Sequence, residues 1–400
     1  MSFGFGIDRL LRDTNLQRIL GGSRVALLGH PASVTRHLRH SVDALMETSM
    51  RITALFGPQH GIRGDKQDNM VETGNDTDPV YHIPVFSLYG KVRRPTVQML
   101  DQFDVLLVDL QDVGCRIYTF LATLFYLLED CTDAGKSIWV LDRPNPAGRP
   151  VDGLALLPGN ESFVGAAPMP MRHGLTLGEA AKWYCRYKNI NADLNIVLMD
   201  NYHPDGPPGY GWPGSLPWVN PSPNLATLNS ARVYSGTVVL EGTTLSEGRG
   251  TTRPLECMGA PGLPVNEIVE LMRELAPAWL RGCFLRPCYF EPTFHKHVGQ
   301  RCTAIHIHAD HETYDHDQFK PFRLVILFLK ALRLMQPEYD LWRDFYYEYE
   351  TGRLAIDVIN GGPALREWVD DPAAAVSDME ALLATDEREW LQQSTDLRLY

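Results

Sequence analysis

The chain has 400 residues, 44% of them hydrophobic, and a formal charge of −12, enough apolar content to bury two cores or one large α/β core. That charge, with no run of lysine or arginine, argues against nucleic acid or an anionic membrane as the main partner and favours a small ligand, neutral or locally complemented. Seven scattered cysteines without a C-x-x-C pair point away from a zinc ribbon or a disulfide framework and towards reduced thiols in a cytoplasm.

The opening MSFGFGIDRLLRDTNLQRIL is charged throughout and lacks the apolar stretch and cleavage site of a secretory signal. No run reaches membrane-spanning length, so a cytoplasmic protein is expected. SRVALLGHPAS then reads as a strand broken at His30 and Pro31, and ITALFGPQHG as a second strand after an intervening helix. DVLLVDLQDVGCRIYTF supplies a fully buried strand and a helix continuing to about Asp133, and SIWVLDRPNP a further strand. The helix LTLGEAAKWYCRYK and the strand DLNIVLMD complete this part.

Alternating strands and helices predict an α/β fold, with a Rossmann-like, mainly parallel sheet domain over residues 1–202. Neither G-x-G-x-x-G after the first strand nor a Walker motif is present, so no nucleotide cofactor is expected. Residues 203–224, dense in Pro, Gly and Trp, read as an ordered crossing to a smaller α/β domain over 225–400. There the pattern predicts a strand and loop in SGTVVLEGTTLSEGRGTTRP and a helix around Val265 to Leu275. Strands near Phe284 and over Thr303 to His308 follow, then a helix from Pro321 to Leu334.

Polar side chains cluster where strands end. ALFGPQHGIRG places Gln59, His60 and Arg63 beyond a buried strand, where ligands bind in open α/β sheets, although a plain tight turn would read the same way. The run from Asp109 to Thr119 gathers Asp109, Gln111, Asp112, Arg116 and Tyr118, a density costly to bury unless a ligand uses it. Asp112 could instead cap the next helix and Arg116 could only neutralise Asp109. Asp142, Arg143 and Asn145 end a further strand, and His173 and His295 occupy loops where a histidine can meet a hydroxyl or serve structure alone.

In SEGRGTT, glycines flank Ser246, Glu247 and Arg249 and allow close backbone approach to a ligand. Glu247 is the first carboxylate to test there, against the alternative of a Glu247–Arg249 ion pair holding the loop. Glu241 reads as structural. HIHADHETYDHD raises the question of a metal, but its alternating histidines fit a solvated strand face and no ligand spacing supports one, so none is expected.

Taken in order, LFGPQHGIRG, PVFSLYG, VDLQDVGCRIYT, LDRPNP, MRHGLTLGE, NPSPN, EGTTLSEGRGTTRP and PTFHKH resemble the NamZ-like exo-β-N-acetylmuramidases, glycoside hydrolase family 171, through nearly the whole chain. The resemblance implies a Rossmann-like domain, a smaller second domain and an interdomain cleft. It also implies release of N-acetylmuramic acid from the non-reducing end of peptidoglycan fragments, without metal or nucleotide. An amino-sugar or muropeptide is then the partner, and imported or recycled fragments the natural substrate of a cytoplasmic enzyme. Asn224, in NPSPN, joins the substrate-binding set through this resemblance.

Two positions depart from the family pattern. Its loop usually reads GPEHG, with the glutamate as the proposed catalytic carboxylate, and Gln59 stands there in this chain. An amide cannot act as a general acid. Gln59 would then hold a sugar hydroxyl or acetamido group while Glu247, Asp112 or Asp109 moves the proton, or the protein binds muramyl sugar without cleaving it. GHPAS replaces the common TNPTG, so His30 alters one wall of the cleft. The lactyl carboxylate of muramic acid calls for a guanidinium, with Arg116, Arg249 and Arg63 as the candidates.

Overall fold

Val25–Leu28 and Leu106–Val108 are buried on both strand faces, as central strands covered by helices on each side must be. The computed structural model describes residues 2–64, 71–72, 74–207, 209–348 and 350–400. Met1, at the head of the 1–202 segment, and Pro208, in the 203–224 crossing, lie outside the described residues.

Helices α1 (Gly6–Arg12) and α2 (Thr14–Leu20) lead into β1 (Arg24–Gly29), α3 (Ser41–Met46), β2 (Arg51–Gly57), β3 (Asp76–Thr77) and β4 (Pro84–Ser87). There follow α4 (Val97–Leu100), β5 (Val105–Asp109), α5 (Phe120–Asp133) and β6 (Ser137–Leu141). A short antiparallel pair, β7 (Asp152–Ala155) and β8 (Pro170–Arg172), precedes α6 (Leu177–Lys188) and β9 (Leu194–Val197). The main sheet has the order β3-β4-β2-β1-β5-β6-β9, parallel except for β3 against β4. Strand order reverses at β1, so the loops after β1 and β5 part at the carboxyl edge, the place where such sheets bind ligands.

The expected strand in TVVLEG is helical instead. Helix α7 (Leu228–Thr237) runs into a 3-10 turn over Val238–Gly242. Thr227 caps α7, its hydroxyl accepting from Ser230 N at 2.9 Å. Packing overrides the β-branched run: a Cβ on Gly236 would lie 2.1 Å from the Pro321 carbonyl oxygen, so α7 sits in close backbone contact with the start of α9. Beyond α7 come β10 (Cys257–Ala260), α8 (Val265–Leu275), β11 (Phe284–Phe290) and β12 (Cys302–His308), the strands forming an antiparallel sheet β10-β12-β11. Helix α9 (Pro321–Met335) is buried all round from Phe322 to Leu332, the signature of a central core helix. Helices α10 (Ala355–Asn360), α11 (Ala364–Asp370) and α12 (Val376–Ser394) complete the order.

One hydrophobic core takes Leu28, Val108 and Phe125 together with Met258, Ile305, Phe328 and Trp390. Polar ties follow the same path. Ala155 N donates to Asp386 at 2.8 Å, Trp390 Nε1 to the His173 carbonyl at 2.8 Å, Leu399 N to Glu179 at 2.7 Å, and Tyr400 Oη to Asp142 at 2.9 Å.

Candidate active site

Past Gly57 the chain turns through Pro58–Gly61, with Gly61 N donating to the Pro58 carbonyl at 2.9 Å. His60 and Gly61 both lie in the left-handed region, at φ 70° and 73°. Gln59 and His60 thereby line a narrow pocket with Tyr118, Thr119, Glu241, Arg249, Tyr347 and Glu348. Thr119 Oγ1 donates to Gln59 Oε1 at 2.7 Å, and His60 Nε2 lies 3.2 Å from Ser222 Oγ. The Tyr118 hydroxyl is buried with no hydrogen-bond partner among the described residues, which suits a group that waits for a ligand.

Two carboxyl groups of this pocket sit in opposite electrostatic settings. Glu241 is salt-bridged to Arg249 Nη2 at 2.5 Å and accepts from Tyr347 Oη at 2.9 Å. Glu348 accepts from Tyr89 Oη, 3.1 and 2.9 Å from its two oxygens. Burial, opposed by the Tyr89 hydrogen bond and reinforced by the charge of Glu241, pushes Glu348 up to about 7. Its backbone lies at φ 46°, a conformation that costs a non-glycine residue about 1 kcal/mol or more and collects at functional sites.

Glu247 lies behind Arg249, outside the pocket lining. Burial alone would raise it, but Lys296 at 2.8 Å, Arg249 at 3.1 Å and His295 at 3.5 Å outweigh that and hold it down to about 2. The ion-pair alternative for Glu247 and Arg249 describes the geometry, and a carboxylate so held is a poor proton donor. Ser246 bridges to Gly259 and its hydroxyl accepts from Gly248 N.

The polar run after β5 is largely engaged in its own networks. Asp109, fully buried, pairs with Arg143 through bonds of 2.6 and 3.0 Å and receives the Ser41 hydroxyl. Arg143, and not Arg116, neutralises it. Arg116 spends its terminal nitrogens on the carbonyls of Leu154, Met169, Ile359 and Asn360. Asp112 accepts from Gly114 N at 2.7 Å and faces His173 Nε2 at 3.4 Å. Gln111 donates to the Asp112 and Pro144 carbonyls, and Asn145 to those of Gly148 and Leu175. Asp142, pushed up to about 6 by burial and by Glu179, caps α6 through Thr176 and Gly178.

Arg63 reaches Asp78 at 2.6 Å in a separate groove, and Asn224 is buried beside Ser222 and Leu225 of the pocket wall. Trp212 and Trp218 brace the crossing through the Leu216 and Leu225 carbonyls. On the 302–308 strand, His306 pairs with Glu256 at 2.9 Å.

Of the residues singled out by sequence, the pocket lining thus brings together Gln59, His60, Tyr118 and Arg249. It adds Thr119, Glu241, Tyr347 and Glu348. The signal for the last two was FYYEYE, an acidic residue embedded in aromatics, which periodicity does not register.

The family description Exo-beta-N-acetylmuramidase NamZ, N-terminal, matches residues 25–229, and the corresponding C-terminal description matches residues 232–400. The chain is 41% identical over 342 residues to peptidoglycan beta-N-acetylmuramidase NamZ of Bacillus subtilis (strain 168), a match covering 83% of this chain and 78% of that protein. Two crystal structures of DUF1343 family proteins from Bacteroides fragilis NCTC 9343 share the fold. One has a TM-score of 0.83 at 26% identity, the other 0.73 at 23%, each match covering 100% of this chain and 99% of the other.

Proposed function

The chain belongs to the exo-beta-N-acetylmuramidase NamZ family, and from that premise we infer that it is an exo-acting glycoside hydrolase releasing N-acetylmuramic acid from the non-reducing end of peptidoglycan fragments. The observation that carries this reading into the site is the pocket at the sheet's carboxyl edge. It offers two buried carboxyl groups, Glu241 salt-bridged to Arg249 and Glu348 pushed up to about 7, and most glycosidases work through a pair of carboxyl groups.

Recognition follows from the same wall. Nη1 of Arg249 is buried without a hydrogen-bond partner among the described residues, and a guanidinium is suited to the lactyl carboxylate that distinguishes muramic acid from other amino sugars. Tyr118 offers its hydroxyl and Gln59 its amide to the sugar. No helix among the described residues is long and apolar enough to cross a membrane. A role in cytoplasmic recycling of wall fragments belongs to the same proposal.

Incubation with the MurNAc-GlcNAc disaccharide is expected to release free N-acetylmuramic acid, read by chromatography. Saturable binding without product would instead indicate a muramyl-sugar binding protein, the reading that Gln59 in place of a carboxylate favours.

A further inference from the structure

Resting on the glycosidase reading, we propose that Glu348 is the catalytic acid of this pocket, protonating the departing oxygen in the role that Gln59 cannot fill. Glu348 and Gln59 line the same pocket. Glu348 is buried, and Tyr89 Oη fixes its carboxyl group from a ring with no exposed surface. Among the described residues, the charged and titratable groups acting on it include Tyr89 and Arg93 after β4, Glu241 on the 3-10 turn, and its neighbour Tyr347. Arg249, across the pocket, is already salt-bridged to Glu241 and Glu247.

The carboxyl form therefore persists close to neutral pH, where an acid catalyst must hold its proton. In the step assigned to it, the Glu348 proton passes to the bridging oxygen as the bond from the anomeric carbon breaks, and the bond's electron pair stays on that oxygen. A water oxygen then bonds the anomeric carbon, and the proton that water loses restores the Glu348 carboxyl. The turnover consumes water alone.

The test compares kcat/KM on the MurNAc-GlcNAc disaccharide and on 4-nitrophenyl β-N-acetylmuramide, whose leaving group departs without a proton. Glu348→Gln is expected to lose roughly 10²- to 10⁴-fold on the disaccharide but under about tenfold on the nitrophenyl glycoside. The basic limb of the wild-type pH profile, with a midpoint near pH 7, is expected to vanish in this variant. Tyr89→Phe removes a hydrogen bond that favours the charged carboxylate, so its basic limb is expected at higher pH than wild type. Equal losses on both substrates with the basic limb retained would overturn the proposal. If Glu348→Gln does not fold, the Tyr89→Phe limb decides: an unmoved limb rejects Glu348. A wild type inert towards both substrates would defeat the glycosidase reading itself, a separate result.

Discussion

Glu247→Gln is expected to lower stability by about 3–5 kcal/mol, the cost of breaking a buried ion pair from one side, while the folded fraction keeps its leaving-group dependence. The amide leaves Lys296 and Arg249, whose side chains are 7% and 4% exposed, facing a neutral group. Acid should expose the same interaction in the wild type. Glu247 is held at about 2 against an ordinary value of 4.5, so its contribution is complete above pH 4.5. It is lost as the pH falls through about 2, an effect on the order of 3 kcal/mol. Denaturant titrations at pH 6 and pH 3 check both points: the variant should be weaker at pH 6, and its further loss on acidification smaller than that of wild type. A variant as stable as wild type but without turnover would return Glu247 to the catalytic set.

Arg116→Met should cost about 3 kcal/mol or more. Burial pushes the Arg116 guanidinium down to about 10, and its hydrogen bonds run to four carbonyl oxygens, at 2.8 Å to Leu154, 2.8 Å to Met169, 3.0 Å to Ile359 and 2.7 Å to Asn360. Removing it takes a donor from all four buried carbonyls, of which that of Met169 keeps Leu156 N at 3.2 Å, and each of the others left unpaired costs about 1–3 kcal/mol. Lysine offers a point charge in place of a planar fork, so Arg116→Lys should recover only a minor part of the loss. Denaturation midpoints of the two variants test this, and a lysine variant as stable as wild type would rule out the carbonyl-capping role.

Buried strands and helices dense in apolar residues are legible in the sequence because their signals are local. VLLV needs only its own burial to be read as a central strand, and Pro321 with its apolar run marks the start of α9. The strand expected at TVVLEG failed because the deciding contact, Gly236 against Pro321, is remote in the chain. The site divides in the same way. Gln59 and Tyr118 were found at strand ends, where the fold places ligands. The charged run after β5 looked like a binding surface because sequence reports residue types and not partners. Arg143 lies 34 residues from Asp109, and Arg116 reaches across 244 residues to Asn360. Glu348 escaped for the converse reason: its partner Tyr89 lies 259 residues earlier.

The ties from residues 386–400 back to β7, α6 and the end of β6 set an order of assembly on the ribosome. A nascent chain that has reached residue 230 already carries every strand of the main sheet but none of these fastenings. The carbonyls awaiting Arg116 are then also half missing, since Ile359 and Asn360 have yet to be made. The sheet emerges first and is locked last, and the pocket, which takes its wall from residues 347–348, closes only in the later part of synthesis.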